Sequence, residues 1–282
     1  MSFARLKRWI KAVLSLLLNH SPEGDVSKSW LFRNSSRLDR NFIGRHEYTI
    51  TPFEDYLRFQ IKDENFLWPA NLPTHTMEVF LSELFIHNHP HRYLWGPTQI
   101  ESDDVVLDIG ACEGAFTAFI ASRCREVIAI EPSRSMCAVI RKQFQFRQKP
   151  SPKIVECLLG SQNSNAYFLE NLENPGASRI TNEAIPGAYE VPIYTLDQLT
   201  SSMEAKPTFI KCDAEGAALQ IFKGGMDFLR TYKPKLAIAS YHTDSEYLDL
   251  YALLHSLGYQ IKGKGFLLSG EKLRVQMLHA WA

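Results

Sequence analysis

The sequence predicts an α/β fold, a Rossmann-like, doubly wound and mostly parallel sheet of seven strands preceded by a helical and aromatic N-terminal extension. Three observations carry this expectation. VVLDIGACEGAFTAFI, Val105 to Ile120, runs an apolar, β-branched segment into a glycine turn and then into helical spacing. VIAIEPS, Val127 to Ser133, is a second apolar run that ends in an acid, Glu131. After residue 100, strand-like and helix-like segments then alternate to the end of the chain.

Taken in order, the strands fall at about 105–109, 126–131, 153–158, 207–212 and 235–240, interleaved with helices at about 114–123, 134–147, 215–223 and 244–257. Tyr259 to Lys262 and Arg274 to Ala280 close the sheet, one of them antiparallel. In the extension, Phe59 to Ile61 reads as a short strand and Met77 to Ile86 as an amphipathic helix. The aromatics between Tyr48 and Trp95 read as core and lid packing, with room for some to line a substrate pocket. Three regions result: 1–20, 21–99 (a polar linker to about Arg45, then a substrate or lid region) and the cofactor-binding domain 100–282.

Residues 1–20 place Phe3, Leu6, Ile10, Val13, Leu14 and Leu17 at helical spacing, with Arg5, Lys7, Arg8 and Lys11 on the remaining surface. The apolar run Ala12 to Leu18 falls far short of the ~20 residues that span a bilayer. A helix lying on an anionic membrane surface through residues 1–19 and a helix packed on the body of the protein fit this pattern equally.

The 282 residues are 45% apolar, enough for a full core, and carry a formal net charge of zero. Without a dense basic face, a nucleic acid is not expected as partner. The five cysteines, Cys112, Cys124, Cys137, Cys157 and Cys212, form no C-x-x-C pair and read as free thiols of a reducing, cytoplasmic compartment. His87, His89 and His91 alternate around Pro90 without acidic or cysteine neighbours, so they read as a loop; no metal site is expected, and a substrate-facing role for the loop stays open.

The candidate chemistry lies at the strand ends. Gly110 allows the sharp turn after the first strand, and Gly114 keeps the following helix close to the sheet. Glu131 can accept hydrogen bonds from a ribose diol. Dinucleotide folds want G-x-G-x-x-G, whereas Ala111, Cys112 and Glu113 follow Gly110 here. An acid two residues before the first glycine and a second glycine four residues after it is the arrangement of S-adenosylmethionine sites, which puts NAD second. Asp213, directly after the strand TFIKC, should face the same crevice.

Several motifs occur together: DIGA at Asp108 to Ala111, EP at Glu131 and Pro132, TLD at Thr195 to Asp197, IK-x-D-x-EGA at Ile210 to Ala217 and YH at Tyr241 and His242. In this order they resemble the FkbM family of S-adenosylmethionine-dependent methyltransferases over roughly residues 100–245. Cys112 stands where the family usually has Asn, and Ala218 where it usually has a second acid. The resemblance implies a class I methyltransferase fold, S-adenosyl-L-methionine as cofactor and O-methylation of a hydroxyl on a glycan, a lipid-linked saccharide or another small molecule. It places cofactor binding at Asp108, Gly110, Ala111, Cys112, Gly114, Glu131, Pro132 and Asp213. Asp213 and His242 are the candidate general bases, with His242 favoured for a pKa near neutrality, and Lys211, Glu215 and Tyr241 read as substrate-positioning groups. Two other classes compete: a non-catalytic interaction module at a membrane surface and an NAD-dependent oxidoreductase.

Overall fold

The computed structural model describes residue 44 and residues 47–181, 183–269 and 272–282. The basic segment 1–20 and nearly all of the polar linker 21–45 lie outside the described residues.

The central sheet has seven strands in the order β6, β5, β4, β11, β12, β14, β13. These are β4 (Val105–Ile109), β5 (Glu126–Ile130), β6 (Lys153–Val155), β11 (Phe209–Cys212), β12 (Lys235–Ala239), β13 (Gln260–Ser269) and β14 (Lys272–Trp281). All five residues of β4 are buried, which suits a central strand covered on both faces. β14 inserts between β12 and β13 and runs antiparallel to both, so one strand opposes the rest, as the sequence led us to expect. Register sets the site, because Lys211 of β11 lies opposite Asp108 of β4 and Asp108 lies opposite Ala129 of β5.

The helices that cover the sheet include α2 (Ala115–Ile120), α3 (Arg134–Phe146), α4 (Leu196–Ser201), α5 (Ala218–Lys223), α6 (Met226–Tyr232) and α7 (Glu246–Ser256). Ser133 caps α3, its hydroxyl accepting from the Met136 amide at 3.1 Å. The TLD motif has a structural role of the same kind. Thr195 caps α4 by accepting from Gln198, and Asp197 accepts from the Phe228 amide at 2.7 Å in the first turn of α6. The helix expected over 215–223 begins only at Ala218, since Glu215 and Gly216 adopt positive φ, and α6 was not anticipated.

The strand expected over 153–158 stops at Val155. Leu158–Leu159 (β7) instead starts a separate four-stranded sheet, ordered β7, β10, β8, β9, with β8 (Ser164–Leu169), β9 (Arg179–Thr181) and β10 (Ala188–Tyr194). This insertion escaped the sequence reading because its strands are short and half-exposed, so little apolar alternation marks them.

The extension is more ordered than expected. It forms a three-stranded antiparallel meander, β1 (Tyr48–Phe53), β2 (Tyr56–Ile61) and β3 (Glu64–Pro69), followed by α1 (Thr74–Phe85). Phe59, Phe66 and Trp68 are buried, so the aromatics are core here. Gln143 of α3 fastens the meander to the domain: its amide accepts from Leu67 N at 2.7 Å and donates to Leu67 O at 2.9 Å. Arg147 adds bonds to the carbonyls of Asn65 and Ala118.

Candidate active site

A cavity of about 410 Å³ opens at the carboxyl ends of β4 and β11. One wall is the turn Gly110–Glu113 with Lys211, Asp213 and Glu215. The extension supplies Trp68, Phe80, Glu83 and Tyr93, and the insertion supplies Glu173 to Gly176.

The turn follows from its glycines. Gly110 has φ +70° and Gly114 has φ +78°, a region that L side chains rarely adopt. A Cβ at Gly114 would meet Ile140 at 2.7 Å, so what this glycine admits to the turn is α3, not the helix that follows it as the sequence suggested. The Gly110 and Ala111 amides both donate to Ile130 O, which ties the turn to β5.

Asp108 is fully buried and sits beneath the turn. It pairs with Lys211 Nζ at 2.9 Å and accepts from Thr117 Oγ1 at 2.5 Å, while Lys211 also donates to Gly110 O at 2.6 Å. Burial would lower the Lys211 pKa, but Asp108 and Asp213 outweigh it and hold the ammonium above its ordinary value. Lys211 therefore lines the cavity and also braces the turn from behind, whereas Asp108 stays off the cavity wall.

Glu131 is 7% exposed and accepts from the amides of Cys112 at 2.8 Å and Ser133 at 2.9 Å. Burial pushes its pKa up to about 6, against these two donors. The cavity reaches neither Glu131 nor Pro132, whose carbonyl accepts from Tyr189 of the insertion. A carboxylate offers about four lone-pair sites, so Glu131 retains acceptor capacity beyond the two amides.

Asp213 faces the cavity with its carboxylate surrounded by proton donors. Tyr93 Oη donates to Oδ2 at 2.6 Å, His91 Nε2 stands 3.9 Å from Oδ2, and His242 Nε2 stands 3.3 Å from Oδ1. Burial alone would raise its pKa; His242, His91 and Lys211 reverse this and hold it well below the ordinary carboxylate range.

His242 does not match its expected role as the neutral base. Its side chain is 10% exposed and off the cavity wall, with Nδ1 3.3 Å from Glu246 and Nε2 3.5 Å from Glu215. Burial disfavours the imidazolium, but Asp213 and Glu246 raise its pKa to about 10, so the ring is already protonated at neutral pH. Tyr241 stacks on His242 at 4.4 Å and is likewise off the wall. Glu215, on the wall with most of its side chain exposed, has a pKa raised by partial desolvation and by Asp213.

The sequence reading missed four contributors to the site: Glu83, His91, Tyr93 and Glu113. Glu113 is buried on the cavity wall, and burial raises its pKa to about 7. Its place between Cys112 and Gly114 was the available signal. The other three come from the extension, where the His87 to His91 alternation and the aromatic run that includes Tyr93 were the hints of a role and nothing marked Glu83. Among the described residues no group of three or more His, Cys, Asp or Glu side chains is arranged to hold a metal ion, and no helix is long and apolar enough to cross a membrane.

The chain has known relatives in fold and in family. The crystal structure of a methyltransferase FkbM from Methylobacillus flagellatus KT superposes with a TM-score of 0.51 at 22% identity, covering 69% of this chain and 48% of that one. This chain therefore spans about half the length of that protein. A precorrin-6y C5,15-methyltransferase from Geobacter metallireducens GS-15 gives a TM-score of 0.39 at 14% identity, over 65% of this chain and 83% of that one. No curated protein matches the chain. The methyltransferase FkbM domain family matches residues 108–261, a span that begins at Asp108 and takes in Gly110, Glu131, Asp213 and His242. That span is more than half of the 282 residues, and the chain belongs to the FkbM methyltransferase family.

Proposed function

We propose that this methyltransferase uses S-adenosyl-L-methionine and methylates a hydroxyl of a small-molecule, glycan or lipid-linked acceptor. The observation that carries the reading is that the turn Gly110–Glu113 and the carboxylate of Asp213 share one cavity. The residues present fit this cofactor. Its sulfonium and ammonium are cations, and Glu83, Glu173, Asp213 and Glu215, with Glu113 partly ionised at neutral pH, lie on the wall against one cation, Lys211. Glu131, just past β5 and beside the turn but off the cavity wall, keeps acceptor capacity for a ribose diol that extends beyond the turn.

When bound, the cofactor supplies an electrophilic methyl group on sulfur. The chain's contribution is orientation. Asp213, ionised and held by Tyr93, accepts the hydrogen bond of the acceptor hydroxyl and so orients its oxygen; a carboxylate held this far below its ordinary range positions the hydroxyl, and the proton passes on to water as the methyl is transferred. His242, charged between Asp213 and Glu246, steadies that carboxylate and does not remove the proton itself. The apolar wall of Trp68 and Phe80, ring centroids 6.0 Å apart, offers a face for the body of the acceptor.

Two measurements test the cofactor and the acceptor. S-adenosylhomocysteine should raise the melting temperature and NAD should not, because a ligand that binds only the native state stabilises it by mass action. Labelled methyl from S-adenosylmethionine, offered to fractionated lipids, glycans, proteins and nucleic acids, should enter the glycan or lipid-linked fraction and resist mild base. Label confined to protein or nucleic acid would remove the acceptor assignment. Peripheral membrane contact through residues 1–19 of a cytoplasmic protein belongs to the same proposal. Deleting them should abolish sedimentation with anionic vesicles, and added salt should mimic the loss.

A further inference from the structure

Asp213 owes part of its environment to a segment that precedes the family-matched span. Glu83 on α1 has a side chain 8% exposed and stands on the cavity wall, and its Oε1 lies 2.7 Å from His91 Nδ1. That contact turns the other ring nitrogen, Nε2, towards Asp213 Oδ2 at 3.9 Å, where it is buried without a hydrogen-bond partner. The imidazole is wedged edge-on between the rings of Tyr93 at 5.1 Å and Tyr241 at 5.4 Å, so it has little freedom to turn elsewhere. Tyr93, two residues on, donates directly to the same oxygen, Oδ2, at 2.6 Å. A core histidine with a purely structural role would satisfy both nitrogens locally. Here one nitrogen is committed to a carboxylate and the other is aimed at the site.

We propose that Glu83 and His91 form a positioning pair which, with Tyr93, holds the Asp213 carboxylate in a fixed orientation at the cavity wall. The inference rests on Asp213 serving the acceptor, as proposed above. The arrangement follows the logic by which a carboxylate fixes the tautomer and direction of an imidazole that serves a third group. The charged and titratable groups facing Asp213 are Lys211 from β11, His242 and Glu215 from the loops after β12 and β11, and His91 and Tyr93 from the extension. Those facing His91 are Glu83, Asp213 and His242. Burial disfavours the His91 cation, and Glu83 overcomes this to raise its pKa above the ordinary value. Removing Glu83 thus lowers the His91 pKa and frees the imidazole from the contact that aims Nε2 at Asp213. The extension is, on this reading, part of the active site and not only a cover over it.

The test uses the full chain and the variants Glu83→Gln, His91→Asn and Tyr93→Phe. Glu83→Gln keeps the size of a buried side chain and so preserves a folded protein if His91→Asn fails to fold. Carbon-13 NMR should show the Asp213 carboxyl titrating about one pH unit higher in Glu83→Gln and His91→Asn. Calorimetry with S-adenosylhomocysteine at pH 7 should give affinities within about threefold of the unmodified protein, while methyl transfer into the labelled acceptor fraction falls about tenfold or more in kcat. Folded variants with an unmoved Asp213 titration or unchanged kcat would overturn the inference. Loss of S-adenosylhomocysteine affinity in step with kcat would also overturn it, by assigning the pair to cofactor binding. If the unmodified protein transfers label to no fraction, the proposed function fails, and the carboxyl titration still decides the fate of the pair.

Discussion

A methyl group on Gly110 would stand 1.9 Å from the carbonyl oxygen of Asp213, so the cofactor-type turn and the acceptor-facing strand end meet at backbone contact. No side chain fits between them, and the φ of +70° excludes the alternative of turning the Cβ away. The two halves of the proposed site are thus locked to each other through the sheet register that sets β4 beside β11.

Gly110→Ala should therefore damage both halves. Left-handed backbone at a non-glycine residue costs about 1–2 kcal/mol and overpacking about 1–3 kcal/mol, a sum of about 2–5 kcal/mol. A lowered melting temperature together with loss of the S-adenosylhomocysteine-induced shift is the expected result in thermal denaturation. A variant with full affinity and unchanged melting would contradict the contact.

Glu131→Ala should weaken S-adenosylmethionine binding about ten- to a hundredfold, the scale of one or two lost charge-assisted hydrogen bonds. The structure adds a second effect, because the Cys112 and Ser133 amides lose their acceptor. Calorimetry on a folded variant decides the point, and unchanged affinity would take Glu131 out of the site.

Stability of the unliganded protein should decline as pH rises from about 4.5 to about 7. Burial raises Glu113 from 4.5 to about 7, so in this window the folded state binds more protons than the unfolded chain. At pH 8 the cost of ionising this buried carboxyl is on the order of 3 kcal/mol, and Glu113→Gln should recover it while leaving stability at pH 4 unchanged. Urea unfolding at several pH values measures this directly. A Glu113→Gln protein that declines as steeply as the unmodified one would refute it.

His242 should titrate near pH 10 by NMR, and no limb of the pH–rate profile near 6.5 should belong to it. A base with a raised folded pKa adds stability fully below its unfolded value of 6.5 and loses it as pH climbs towards 10. His242→Asn should then destabilise on the order of 4 kcal/mol at pH 6 and much less at pH 10. Asp213→Asn should lower the His242 titration and cut turnover more than cofactor affinity. A His242 midpoint near 6.5 in the unmodified protein would restore it as a candidate base.

Gln143→Ala should loosen the extension. Leu67 would lose the partner of both its amide and its carbonyl in a fully buried contact, a cost of about 2–4 kcal/mol. Hydrogen exchange should rise across β2 and β3 before it rises in β4. Uniform exchange across all three strands would mean that the meander does not depend on this anchor.

The parallel core was legible because a strand buried on both faces reads as a nearly continuous apolar run, and Val105–Ile109, broken only by Asp108, and Val127–Ile130 show this without long-range information. The turn was legible for a similar local reason: positive φ and close packing select glycine, so Gly110 and Gly114 announce themselves. Asp213 was found by its position after a buried strand. The insertion at 158–194 and the meander at 48–69 were not read in full, since their strands carry mixed, half-exposed residues whose pairing is fixed only by their partners. Charge states lay further out of reach. The sequence presents His242 as an ordinary imidazole; only the fold surrounds it with Asp213, Glu215 and Glu246 and makes it a stable cation. Likewise His91 lies 122 positions from Asp213 in the chain, yet their side chains meet at 3.9 Å. What the sequence determined by itself is what depends on neighbours along the chain: strand burial, turn geometry and the family's order of motifs. Which protons the site holds, and that the extension helps to hold them, was decided by tertiary structure, because desolvation and charge pairing depend on distance in space.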